Sequence, residues 1–192
     1  AFLVADLPFL SYATRERALA ASQRLMQEGG AQMVKLEGNR DQAEIIEYLS
    51  SRGVPVCAHL GLRPQLIHKM GTFRVQGRDA AAAQAMREDA KSLQDAGADL
   101  MVLECIPSNL GHDITAELDI PVIGIGAGPD TTGQILVLQD MIGISPQASH
   151  GKTARFVRNF MADAEDVESA LRAYVEAVKS GAYPAPEHGF GP

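Results

Sequence analysis

The 192-residue chain has no tryptophan, 5% aromatic residues and two cysteines. Two thiols cannot staple a small disulfide scaffold, and Cys57 and Cys105 both lie inside apolar runs, which suits buried thiols in a reducing compartment. A run of the ~18 apolar residues needed to span a membrane is also missing. The apolar opening has no basic region and is interrupted by Asp6, so it is not a signal peptide. Basic excess is lacking too: 17 Lys and Arg stand against 24 acids, a net charge of -7, and no window collects cations as a phosphate backbone would require. These absences exclude a membrane protein and a nucleic-acid partner and predict a cytoplasmic protein. What remains is 46% apolar residues with 18 Gly and 10 Pro, the composition of a soluble domain with its own core. An initiating Met is absent, and an apolar, strand-like segment begins at once.

Short apolar blocks at residues 2–5, 33–36, 54–58, 100–103, 121–125 and 135–138 have the length and composition of parallel strands buried on both faces. Amphipathic runs lie between them. Thr14 is placed to cap a helix reaching Glu28, Asn39 or Asp41 a second carrying Ile45, Ile46 and Leu49, and Met86, Ala90 and Leu93 mark the inner face of a third over 79–96. The pattern is a repeated βα unit. A last helix over 163–180 carries Val167, Ala170, Leu171, Tyr174, Val175 and Val178 on one face, which must dock on this domain or on a neighbouring subunit.

Two units match closely. Gly30-Ala31-Gln32-Met33-Val34-Lys35-Leu36-Glu37 and Gly97-Ala98-Asp99-Leu100-Met101-Val102-Leu103-Glu104 each run from a helix-ending Gly to a Glu at the strand's far end. Asp6 and His59 follow two further strands in the same way. In a parallel αβ barrel the C-terminal strand ends carry the catalytic groups, so Asp6, Glu37, His59 and Glu104 would share one face, and the two-residue strand period adds Lys35 beside Glu37. A single acid at a strand end is ordinary; this many polar groups with a lysine mark a site. The oxygen ligands favour Mg²⁺, and the Cys and His spacings do not suit zinc. His68, His112, His150 and His188 read as solvated surface. Gly124-Ile125-Gly126-Ala127-Gly128 is open to two readings, an anion cradle or a tightly passing turn.

Six segments in order, Ala5-Asp6-Leu7-Pro8-Phe9, Met33 to Gly38, Val54 to Leu62, Val75-Gln76-Gly77-Arg78, Leu103-Glu104-Cys105 and Ile120 to Gly128, resemble the ketopantoate hydroxymethyltransferase family. The resemblance covers nearly the whole chain and includes Gly181-Ala182-Tyr183-Pro184. It implies a (β/α)8 TIM barrel, Mg²⁺, and transfer of a hydroxymethyl group from 5,10-methylenetetrahydrofolate to 3-methyl-2-oxobutanoate through a Mg-stabilised enolate, giving 2-dehydropantoate in pantothenate biosynthesis. Carried over by motif, Asp6 binds metal and substrate, Glu37 is a metal ligand, Lys35 and His59 bind substrate, and Glu104 is the catalytic proton acceptor. It also implies a homo-oligomer, a decamer, acting on small molecules.

The family also carries an upstream segment with two more strands and a Gly-Asp-Ser motif supplying another metal ligand and a substrate-binding Ser, and nothing in these residues matches it. Six strands cannot close an eight-strand barrel, so the expectation is a barrel without its N-terminal two strands, from a longer polypeptide. Residues 1–144 would form the partial barrel and 145–192 a loop, helix and tail. Two rivals stand beside this reading: another Mg-dependent 2-oxo-acid lyase or mutase of the phosphoenolpyruvate mutase and isocitrate lyase type, and a non-catalytic assembly module.

Overall fold

The computed structural model describes residues 1–145 and 153–192. His150 lies outside the described residues. Six strands, β1 (Val4–Asp6), β2 (Met33–Glu37), β3 (Val56–Gly61), β4 (Leu100–Glu104), β5 (Val122–Ile125) and β6 (Gly133–Gln134), pair in chain order, every pair parallel. An unbroken sequential order is the winding of a (β/α)8 barrel, since a doubly wound sheet reverses at a switch point. The fold is therefore a partial barrel of this class.

Most expected strands lie within two residues of their predicted places. The last does not: pairing falls on Gly133–Gln134, followed by one more bond from the Ile135 N–H to the Gly124 carbonyl at 3.0 Å. Most of the apolar run at 135–138 goes unpaired, with Ile135, Val137 and Leu138 exposed, and helix α6 (Leu138–Met141) starts inside it. A short apolar run has no period that separates edge strand from helix.

Helix α1 (Arg15–Gln27) starts where the Thr14 hydroxyl accepts from the Arg17 N–H, and α4 (Ala80–Asp95) where Asp79 accepts from the Ala82 N–H at 2.9 Å. These caps satisfy donors that the first helical turn leaves free. Helix α2 (Ala43–Ser50) differs from expectation, entering through a 3-10 turn, Arg40–Gln42, with neither Asn39 nor Gln42 closing a side-chain cap. Helices α3 (Ile67–Met70) and α5 (Ser108–Glu117) follow β3 and β4, and α7 (Val167–Lys179) ends the helical part. Its reciprocal cap between Asp166 and Ser169 sets a start later than the predicted 163.

Alternation along each strand divides the core in two. Val34, Leu36, Val56, Ala58, Leu60, Met101, Leu103 and Val122 pack outward with the helices. Met33, Cys57, Val102 and Ile125 face the other way with Leu62 and Phe156. That second, inward face carries the polar strand ends. The predicted stripe on α7 splits: Ala170, Tyr174 and Val178 pack with Phe160 and Tyr183, whereas Val167, Leu171 and Val175 are exposed.

Candidate active site

The inward face is fixed by register. Asp6 pairs with Lys35, Glu37 with His59, and Gly61 with Glu104, and paired residues of parallel strands point to the same side. Asp6, Lys35, Glu37, His59 and Glu104 therefore share the inward face with the apolar Met33, Cys57 and Val102. All five predicted site residues come together.

Their contacts form a chain across four strands. The Lys35 ammonium pairs with the Asp6 carboxylate and lies 3.3 Å from Nδ1 of His59. The His59 Nδ1 is 3.8 Å from Glu37 Oε1, and its Nε2 is 3.2 Å from Glu104 Oε2. A His59 tautomer with the proton on Nε2 satisfies both neighbours: Nδ1 accepts from Lys35, and Nε2–H faces Glu104. The last contact is close but poorly directed, because Nε2 lacks a partner meeting hydrogen-bond geometry.

Burial differs along the chain. The side chains of Glu37 and His59 are 4% and 3% exposed, while Asp6 is 58% exposed at the rim. Loss of water raises the Glu37 pKa above its ordinary value, with the neighbouring Glu104 charge adding to the rise; His59, the Gln65 N–H and Lys35 oppose it. Gln65 was not visible in the sequence as a site residue. It lies in the 3-10 turn Pro64–Leu66 after β3, where no spacing distinguishes it, and its N–H reaches Glu37 Oε2 at 3.0 Å.

Backbone geometry holds Glu104 in place. Its carbonyl accepts from the Leu62 N–H at 2.8 Å, and the next residue donates to the Ile125 carbonyl at 2.9 Å. Gly61 makes the first contact possible, since a Cβ there would run into the Glu104 carbonyl oxygen and its φ of +92° suits glycine. Cys105 takes φ +49°, an uncommon conformation outside glycine, immediately after Glu104.

The glycine-rich turn resolves towards close packing. Gly128 sits at φ +86° with the Ser108 side chain where its Cβ would be, and the neighbouring Ala127 carbonyl presses on Gly111. His188, predicted to be solvated, instead accepts from the Ala185 N–H at 2.9 Å and packs edge-on against Tyr183.

Among the described residues no three His, Cys, Asp or Glu side chains group closely enough to hold a metal by themselves. Mg²⁺ does not need such a cage. It binds through one or two carboxylates and fills its octahedron with water and substrate oxygens. The hard oxygens of Asp6 and Glu37 fit it.

A parallel βα sheet with acid, base and cation on the C-terminal ends of neighbouring strands defines an enzyme of the αβ-barrel class. The comparisons narrow this. A family model for ketopantoate hydroxymethyltransferase matches residues 1–186. The 3-methyl-2-oxobutanoate hydroxymethyltransferase of Alkalilimnicola ehrlichii is 59% identical over 191 residues, 100% of this chain and 68% of that protein. The protein of that name from Nitrosococcus oceani is 54% identical over 95% of this chain and 68% of its own length, and the one numbered 2 from Hahella chejuensis is 51% identical over 99% and 70%. The chain belongs to the ketopantoate hydroxymethyltransferase family, and it is a transferase of pantothenate biosynthesis.

Proposed function

We propose that this chain adds the one-carbon unit of 5,10-methylenetetrahydrofolate to 3-methyl-2-oxobutanoate, giving 2-dehydropantoate, with Glu104 as proton acceptor. The observation that carries this reading is the continuous contact chain Asp6–Lys35–His59–Glu104 on the inward face. The half-buried cation of Lys35 offsets the negative charge of the oxo acid, where partial exclusion of water strengthens the attraction. Glu104, whose side chain is 14% exposed, removes the C3 proton. The carbon that loses it bonds to the methylene carbon, whose two bonds to folate nitrogens are broken; water supplies the hydroxyl on that carbon, and tetrahydrofolate leaves with a proton on each freed nitrogen. His59 lies between Lys35 and Glu104 and hydrogen-bonds substrate oxygen or steadies the Glu104 carboxylate through Nε2–H.

Asp6 and Glu37 would hold Mg²⁺, which when bound withdraws electron density from the chelated oxo acid and acidifies its C3 proton. Asp6 would turn between Lys35 and the metal, an exchange its exposed position permits. The reading extends to a cytoplasmic homo-oligomer; among the described residues no helix is long and apolar enough to cross a membrane.

The test is a coupled assay with both substrates, with and without a chelator. Glu104→Gln should lower turnover by about 10²–10⁴-fold, the usual range for a lost general base, while oxo-acid binding by calorimetry is retained. Turnover near that of the parent protein would remove Glu104 from this role. Chelation should abolish activity and added Mg²⁺ restore it; activity indifferent to chelator would remove the metal.

A further inference from the structure

Glu37 is held from above by a residue that no strand-end pattern marks. Gln65 uses three groups at once. Its backbone N–H donates to Glu37 Oε2 at 3.0 Å, its side-chain amide N–H donates to the Leu7 carbonyl at 2.9 Å, and its amide oxygen accepts from the Tyr12 hydroxyl at 2.8 Å. Leu7 directly follows Asp6, and Tyr12 is 8% exposed in the outer core. The loop after β3 is thereby tied to the loop after β1, across the end of the intervening β2 where Glu37 sits.

This arrangement has a mechanical consequence. The backbone donor on Glu37 cannot drift unless the side-chain amide releases Leu7 and Tyr12 as well. Glu37 Oε2 is held by the Gln65 N–H, which restrains the carboxylate from the side of the loop after β3. A carboxylate whose orientation is set in advance loses less freedom on taking up a cation, which is why outer hydrogen-bond partners of ligands govern affinity.

We propose that Gln65 and Tyr12 are positioning residues that preset the Glu37 carboxylate, and with it the spacing to Asp6, for a divalent cation. The proposal rests on the reading of Glu37 as a metal ligand. Tyr12 acts through Gln65 and touches neither metal nor substrate.

The test measures binding of Mn²⁺ alone, by calorimetry or by electron paramagnetic resonance, to the purified protein and to Gln65→Ala, Tyr12→Phe and Glu37→Gln variants of matched melting temperature. Gln65→Ala should weaken Mn²⁺ binding by about tenfold, at the lower end for loss of an outer partner. Tyr12→Phe keeps the packed ring and removes one hydrogen bond, for an expected loss of about threefold. Both should leave KM for the folate substrate unchanged, which a general loosening of the fold would not do. If Glu37→Gln abolishes Mn²⁺ binding while Gln65→Ala and Tyr12→Phe bind as the parent does, the positioning role is overturned and Glu37 stays a ligand. If Glu37→Gln also binds as the parent, the ligand role fails and the positioning role fails with it. Should Gln65→Ala fold poorly, Tyr12→Phe decides alone.

Discussion

At the residue scale, burial controls the chemistry of the two thiols. Cys57 and Cys105 lie in the inward apolar layer, and loss of water pushes both thiols up to about 12. The thiolate is the reactive form, so at pH 8 only about one thiol in ten thousand is ionised, against about one in four for a free cysteine. Iodoacetamide should therefore modify the native protein far more slowly than the urea-unfolded chain, which mass spectrometry would read directly; comparable rates would place the thiols in water. The same shift has a sign for stability. Between about pH 9 and pH 12 the unfolded chain releases protons that the folded chain keeps, so stability is full below pH 9 and declines through that window. Urea midpoints should fall from pH 8 to pH 10.5, and replacing both cysteines with Ala should flatten that part of the slope. Asp6, Glu37, His59 and Glu104 were legible because each ends an apolar block, and Lys35 because strands alternate. Gln65 and Tyr12 were not, because their contacts cross 28 and 53 residues of sequence and follow no period.

At the element scale, local chemistry and tertiary contacts divide the work. Thr14 and Asp79 open their helices at the predicted places because a cap is a contact three residues long. The edge strand β6 and the entry to α2 depart from expectation because propensity is weak there and neighbours decide. Phe156 shows how the C-terminal part joins the barrel. Its ring joins the inward apolar cluster of Cys57, Val102 and Ile125, lies against Gly126 just past the end of β5, and meets Phe190 edge-on at 6.3 Å. Tyr183 fastens the same segment by donating its hydroxyl hydrogen to the Phe156 carbonyl at 2.6 Å. Phe156→Ala should cost about 3–5 kcal/mol in urea unfolding, the usual range for deleting a buried ring. A cost below about 1 kcal/mol would mean that the segment rests on the barrel without completing its inner layer.

At the scale of the whole molecule, the sheet is open on both sides among the described residues. Phe2, Leu3, Phe9 and Leu10 are exposed beside β1, and Ile135, Val137, Leu138 and Ile144 are exposed in and after the β6 region. Unpaired edges flanked by apolar side chains favour association. This 192-residue chain by itself should bind the dye ANS and sediment as species larger than 20.5 kDa; a dye-silent monomer would mean that the edges protect themselves. The family relatives named above are longer, the chain spanning 68% to 70% of them. The sequence by itself determined the βα repeat and the strand ends that carry charge, because strand length, alternation and capping are local and repeat along the chain, and its six ordered motifs carried the resemblance to the family. Only the tertiary structure decided that Lys35 and Glu104 meet through His59, that Glu37 is buried under Gln65, and that the α7 stripe is half exposed. Those outcomes depend on register between strands and on which segments share a face, and sequence spacing does not encode them.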